Sequence, residues 1–506
     1  MRNRQVSPTT IWIWVALSTL IGTATVWILD HGYASEQALF RWSQITMALD
    51  ASELHLESIG LVYPHAPLYL LAPFYYLPGL ATPFAPYLAS VLTGGALLTL
   101  WYHHLRLRSF PLFTATAMVL LVAMHPVFLW AATGGTEKTL SLLVFYLMCV
   151  ACVRLLRVGD VRSIIMLGAV LALYFFVDER TAFLFMALLP MLPFLAPMRM
   201  LRASMLSTFL LISLPSVIAV LSWVYLNWLF HGDPLHFLTS PESAFIGARQ
   251  SIHETPWLKA YGGEFFEALG ATTLMALLTI PAFGWVLYRL RARRRMLVGM
   301  IILGLHPVLA AALATKSYFV EHPLDFVFLA LAAFMSAMLL IPKAWSRKPL
   351  APICWLLVSW FGGWMALDVM PTRDMSSWRN AASGIEQRIS GQAESRVGRW
   401  LDRNRLTTLI DNRSGYQVIA ARGDSDDLWL PFMHEFKLAE RMRLAGAEQV
   451  VVIDPSHPRA TRDRITSRYP SLYGGGQPGY ALVLDEPPWR VYRRTDIDWP
   501  SSEARP

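Results

Sequence analysis

Asp30 closes an apolar run, Ile11 to Leu29, and Glu36 follows it after His31-Gly32-Tyr33-Ala34-Ser35. Further acids, Asp50, Glu53 and Glu57, continue the same polar stretch. Later apolar runs are joined by short polar turns carrying Glu137-Lys138, Asp178-Glu179-Arg180 and Lys316 to His322. A carboxylate at the edge of an apolar layer is partly desolvated, which lifts its pKa toward the range where it can take a proton from a hydroxyl. A cation beside it can hold a phosphate. Together such groups fit a transfer from a lipid-borne phosphate donor to an acceptor arriving from water. Polar loops that merely avoid positive charge also end up acidic without doing chemistry. For any single acid the two origins weigh about equally.

The elements that must hold these residues follow from composition. The chain has 506 residues, 55% hydrophobic and 15% charged, and a mean hydropathy of +0.41, whereas soluble domains carry about 25% charged residues. A soluble enzyme is excluded. The net charge of +8 is then a matter of position rather than a sign of nucleic acid. Apolar runs near the bilayer-spanning length of about 20 residues fall at 10–29, 84–102, 111–131, 139–156, 163–177, 181–198, 206–230, 268–288, 296–315, 323–341 and 350–370. These eleven runs predict a polytopic α-helical membrane module over 1–370, followed by a second domain over 371–506. The first run is longer than the h-region of about 7–15 residues in a signal peptide, so it reads as a retained anchor.

With the N-terminus in the cytoplasm, the inner loops hold 17 Lys and Arg and the outer loops six, while Asp160 is the only inner acid. That bias predicts a multi-pass protein of the cell inner (plasma) membrane, with the C-terminal domain on the exoplasmic side. Residues 66–80 would invert the later loops if they crossed. With Pro67, Pro73 and Pro78 among Phe74, Tyr75 and Tyr76, they read instead as a juxtamembrane segment on the outer surface.

Three stretches in order carry a family resemblance. The opening Asp30-His31-Gly32-Tyr33-Ala34-Ser35-Glu36 resembles an acidic start to a first outer loop. Tyr63-Pro64-His65-Ala66-Pro67-Leu68-Tyr69 resembles a Pro-Pro-Leu-Tyr juxtamembrane segment. Asn227-Trp228-Leu229-Phe230-His231-Gly232-Asp233-Pro234 is similar to an Asn…Phe-Gly-x-Pro ending on a middle span. The pattern is that of GT-C fold glycosyltransferases, the bacterial relatives of protein O-mannosyltransferases and of the lipid A aminoarabinose transferase. The chain departs from it at Asp30-His31, where paired acids are common, at His65-Ala66, where a Lys or second Pro is common, and at Glu321-His322-Pro323, where an Arg often leads.

The resemblance implies a transferase that takes a sugar from a polyprenyl-phosphate lipid and gives it to a cell-envelope acceptor, with no nucleic-acid partner. Asp30 would accept the proton of the attacking hydroxyl, with Glu36 as its rival and Glu137 and Asp178 behind them. Lys316, His322, Arg180 and His65 are the candidates for meeting the lipid phosphate. Each has a structural alternative: Lys316 can snorkel at a helix end, Arg180 can pair with Asp178 or Glu179, and His322-Pro323 can start a helix. No metal site is assigned, although a divalent cation is compatible with the chemistry. A transporter or flippase of lipid-linked or small substrates, or an assembly subunit, remains the competing class; the gathering of acids at one surface and the lack of a repeat argue for the enzyme.

Other features carry less. Cys149 and Cys152, inside an apolar run, read as small helix residues rather than a redox or zinc pair. His103 and His104 point about 100° apart on a helix and cannot share a metal. Gly474-Gly475-Gly476 lacks the strand and helix of a phosphate loop and reads as a flexible turn. After residue 383, helices alternate with strands at 406–411, 449–454, 480–485 and 490–494, which predicts a small α/β sheet that covers the site or guides the acceptor. Asp411 and Asp454 end strands, where turn forming outweighs ligand binding.

Overall fold

The structure, a computed structural model, describes residues 8–49, 65–77, 79–80, 82–195, 198–239, 264–317, 322–341, 350–369, 371–386 and 391–496. Asp50, Glu53, Glu57, Tyr63, Pro64 and Glu321 lie outside these residues. In chain order the helices are α1 (Pro8–Asp30), α2 (Glu36–Leu49), α3 (Ala66–Tyr76), α4 (Ala85–Leu107), α5 (Leu112–Ala123), α6 (Pro126–Thr133), α7 (Lys138–Arg157), α8 (Val161–Phe175), α9 (Thr181–Leu188), α10 (Leu192–Leu195), α11 (Met198–His231) and α12 (His236–Thr239). They continue with α13 (Phe265–Thr279), α14 (Pro281–Leu290), α15 (Arg294–Lys316), α16 (Leu324–Val327), α17 (Ala330–Ala337), α18 (Leu350–Asp368) and α19 (Arg373–Ala382). The chain divides into two compact units, one of residues 1–33, 62–67 and 87–387 and the other of residues 34–61, 68–86 and 388–506.

Among the described residues each apolar run falls mainly on helix. Among the described residues five helices, α1, α7, α11 from Ser204, α15 and α18, are long and apolar enough to cross a membrane. The bent pairs α5–α6 (64°) and α13–α14 (87°) raise the number to seven if each is one span. The runs at 161–175, 181–195 and 324–340 are shorter apolar helices. Thus the eleven runs are helical, but five to seven of them have the length and composition of a span. Helix α3, with 11 residues and Pro73 inside, reaches about 16 Å at 1.5 Å per residue, short of a hydrocarbon core of about 30 Å.

Both bends occur where a proline follows a break: His125-Pro126 and Ile280-Pro281. A break in an apolar layer leaves carbonyls that need partners. His125 Nε2 lies 3.2 Å from the Thr279 carbonyl and 3.0 Å from that of Ser359 in α18, so one imidazole N–H serves two acceptors. The Ala282 N–H donates to Ser359 Oγ at 3.2 Å. Gly363 stands against this ring, where an added Cβ would come within 2.7 Å of His125 Cε1.

The second unit is the expected α/β sheet. Its elements are α20 (Gln392–Arg403), β1 (Thr408–Leu409), α21 (Asn412–Arg422), β2 (Leu428–Trp429), α22 (His434–Arg441), β3 (Gln449–Ile453), α23 (Arg464–Arg468), α24 (Leu472–Gly475), β4 (Tyr480–Glu486) and β5 (Trp489–Arg494). The strand order is β2-β1-β3-β5-β4, with the first three parallel and β5 antiparallel to both β3 and β4. Strand β2 was not expected, because two residues give no alternation to read. Gly474 and Gly475 end the short helix α24 rather than forming a loop. The sheet buries Val451, Ile453 and Val491 on one face, with Val397, Leu401, Val418 and Met47, and Val450 and Val452 on the other, with Phe436, Ala439 and Leu444. Met47 belongs to α2, so a helix from the first loop completes this core. Phe40 meets Tyr416 edge-on at 5.6 Å.

Asp411 and Asp463 cap the helices that follow β1 and β3, accepting from the Arg413 and Arg464 N–H groups and from the Thr466 N–H respectively. Both are buried, and Ser414 donates to Asp463 at 2.5 Å. Burial, reinforced by the neighbouring Asp463 charge, pushes Asp411 up to about 7, and burial also raises Asp463. A raised carboxyl gives stability that is complete below its unfolded pKa and is lost as pH rises through the folded one. The α/β sheet should therefore weaken as pH rises from about 4 to about 7, losing about 1.4 kcal/mol per pH unit across that window. Asp411→Asn keeps the cap without the charge. In pulse proteolysis of the full chain it should protect the sheet at pH 8 relative to wild type, with the advantage gone at pH 4.

Candidate active site

Helix α1 ends in a Schellman turn: Tyr33 N–H donates to the Ile28 carbonyl at 3.3 Å and Gly32 N–H to that of Leu29 at 2.9 Å. Gly32, at φ +87°, is the left-handed residue such a turn requires. The turn leaves Asp30 exposed on the last helical position and sends Tyr33 inward, where its hydroxyl donates to Asp374 at 3.0 Å. Asp374 sits in the first turn of α19, capped by Thr372, and its other oxygen accepts from Trp130 Nε1 in α6 at 3.4 Å. One helical turn on, Trp378 donates to Thr133 Oγ1 at 2.7 Å and fixes α19 on α6.

Lys138, the first residue of α7, places Nζ 4.6 Å from the centroid of the Trp130 ring and 3.6 Å from Asp325 Oδ1 at the start of α16. Beside it, Arg180 is held at both ends of its guanidinium by Asp178, with Nε and Nη2 each 2.7 Å from a carboxylate oxygen. It also approaches Glu137 at 3.7 Å, donates to the Asp325 carbonyl and faces the Phe328 ring at 5.5 Å. Ser141 donates to Asp178 and lies 2.8 Å from the Tyr174 hydroxyl. Two buried cations thus stand among four acids, Glu137, Asp178, Asp325 and Asp374. Among the described residues no Lys or Arg is within salt-bridge distance of Asp374. Burial holds its carboxyl above the ordinary range, against the Lys138 charge and the two hydrogen bonds, which favour the ionised form.

The structure thus brings Glu137, Asp178 and Arg180 together, places His322 one turn before Asp325, whose N–H donates to the His322 carbonyl at 2.8 Å, and gives the other expected residues partners of their own. Lys316 is 61% exposed and pairs with Glu264 at 3.9 Å, a surface pair of little energetic weight. His322 is buried and accepts from the Leu324 N–H at 3.1 Å, as a residue starting a helix does. His65 is buried 4.1 Å from the Trp223 ring, and burial pushes it down to about 4, so it offers a neutral ring rather than a charge. Glu36 lies in the α/β unit, 3.2 Å from Arg459, which also bonds Glu394 and Gln417 at 3.1 and 3.0 Å. Asn227 explains its motif: its side chain accepts from the Phe237 N–H at 3.1 Å and so closes the turn at Gly232. Among the described residues no group of three or more His, Cys, Asp or Glu could hold a metal ion.

Lys138, Asp325, Asp374, Tyr33 and Trp130 are site residues that the sequence does not mark as such. Lys138 stands beside Glu137 in a polar turn, whereas Asp374 lies in the segment beyond the last apolar run.

Comparison with solved structures identifies the fold. The crystal structure of ArnT from Cupriavidus metallidurans bound to undecaprenyl phosphate superposes with a TM-score of 0.58 at 12% identity, over 96% of this chain and 98% of that chain. The chain shares the fold of ArnT. The apo structure of the same protein gives a TM-score of 0.52 with the same identity and coverage. This is the GT-C architecture that the order of motifs implied. No family model matches the chain, and no curated protein matches it in sequence.

The Arg180 geometry predicts a structural rather than a ligand-only role. Arg180→Met leaves Asp178 and Glu137 buried beside each other without their cation and should cost about 3–5 kcal/mol, read as a large fall in melting temperature in detergent. Adding Asp178→Asn should recover part of it. A single variant as stable as wild type would contradict this assignment.

Proposed function

We propose that the chain is a membrane glycosyltransferase that moves a sugar from a polyprenyl-phosphate donor to an acceptor hydroxyl on the outer face. The observation that carries the reading is the buried cluster around Lys138 and Arg180. Its members sit at the ends of α1, α6 and α8 and at the starts of α7, α9, α16 and α19, the helix ends opposite the Arg-rich loops. An isolated bundle has no need to bury these charges.

In the proposed reaction the acceptor oxygen attacks the anomeric carbon while Asp30 takes its proton. The bond from that carbon to the phosphate oxygen breaks, and polyprenyl phosphate leaves with the electron pair. Lys138 is the cation best placed to meet the charge that develops there, because its partner Asp325 is a single carboxylate at 3.6 Å, whereas Arg180 is already spanned by Asp178. The ArnT crystal with undecaprenyl phosphate supports the donor class.

The two bent spans that meet at His125 give the transporter or flippase reading its one specific support. A flippase moves a polyprenyl phosphate across a vesicle without breaking it; the proposed enzyme releases the sugar.

Purified protein given radiolabelled polyprenyl-phosphate sugars and cell-envelope acceptors tests this reading. Asp30→Asn should lower transfer by about 10² to 10⁴-fold with the melting temperature unchanged. Glu36→Gln, at a side chain tied to Arg459, should stay within a few-fold of wild type. Loss of transfer in Glu36→Gln but not in Asp30→Asn would move the base to Glu36.

A further inference from the structure

Asp374 occupies an unusual electrostatic position. It lies outside the apolar runs, in the first turn of α19, where a helix N-terminus favours negative charge. Yet it is only partly exposed, and among the described residues its partners are hydrogen-bond donors rather than a cation in salt-bridge reach: Tyr33 from the end of α1 and Trp130 from α6. The charged groups that act on it are Lys138 from α7, which favours its ionised form, and Asp325 from α16, which opposes it. Glu137 and Arg180 stand one pair further off, joined to each other at 3.7 Å. Lys138 and Asp374 touch opposite aspects of one side chain, the ammonium over the Trp130 ring at 4.6 Å and the carboxyl on its N–H at 3.4 Å.

Lys138 is therefore shared. Its charge is the main attraction that keeps Asp374 ionisable, and it is also the cation read above as the donor-phosphate site. A phosphate brought to Lys138 adds negative charge to a compartment that already holds Asp325 and Asp374, in a low-dielectric setting where such repulsion is strong.

We propose that binding of a phosphate at Lys138 is coupled to uptake of one proton by Asp374. The proton comes from solvent and forms an O–H bond on the carboxylate; no other bond changes. By linkage the effect is reciprocal: protonation of Asp374 tightens phosphate binding, and binding weakens as pH rises through the Asp374 transition. Asp374 is thus a positioning residue that sets the charge of the site. The inference rests on the reading of Lys138 as the donor-phosphate site.

The test is calorimetric titration of the full chain with undecaprenyl phosphate near neutral pH in two buffers of different ionisation enthalpy. Wild type should take up close to one proton more than Asp374→Asn, and Asp374→Glu should restore the uptake. Equal uptake by wild type and Asp374→Asn overturns the coupling, because the protons are then taken up by another group, such as the lipid phosphate. A second probe, the methyl diester of undecaprenyl phosphate, has no proton to gain in this range. With wild-type protein its Kd should rise toward about tenfold per pH unit above the transition; a flat Kd overturns the coupling without reference to any variant. If neither lipid binds wild type, the donor-site reading falls and takes the coupling with it, whereas binding without proton uptake removes the coupling alone.

Discussion

Charge burial around Lys138 and Arg180 is the constraint that the ends of the large helical unit are arranged to satisfy. Removing an ammonium or guanidinium from water costs several kcal/mol per ion unless partners meet it closely. Asp178 meets Arg180 at two points, and Asp325 meets it through a carbonyl and Lys138 through its carboxylate. Each partner sits within a few residues of a helix terminus, so the helices must end in register for the pairs to close. The Schellman turn at Gly32 and the Thr372 cap of α19 then deliver Tyr33 and Asp374 to the same place.

The α/β unit has its own logic. A five-stranded sheet with two central cores needs both faces covered, and the helices after residue 388 do not suffice alone; α2, from the first loop, adds Met47 and Phe40 and is held by the Glu36–Arg459 ion pair. Glu36, a candidate base from its place in the sequence, is also the residue through which α2 pairs with Arg459.

The apolar runs and the sheet strands were legible because each is written in a local period or a continuous run. Val450 to Ile453 announces β3, and Ile11 to Leu29 announces α1. Bends were not legible from hydropathy: α5 and α6 read as one run, and His125, the residue that reconciles the break with Thr279 and Ser359, is identified only by partners 154 and 234 residues away. The site was half visible. Glu137, Asp178 and Arg180 stood out as charges between apolar runs. Asp374 did not, because its importance comes from Tyr33, 341 residues earlier in the chain, and from a tryptophan that a sequence presents as one more apolar residue. Lys316 and His322 looked equivalent to Arg180 in sequence; Lys316 differs from it in exposure and His322 in its partners.

In the proposed reaction the buried cluster, and not the exposed cations, receives the phosphate of the lipid donor. A cryo-EM structure of the full chain with undecaprenyl phosphate tests it directly. The phosphate should lie within hydrogen-bond distance of Lys138 Nζ, with the Lys138–Asp325 pair opened. Density for the phosphate at Lys316, with Lys138 still paired to Asp325, would contradict the account.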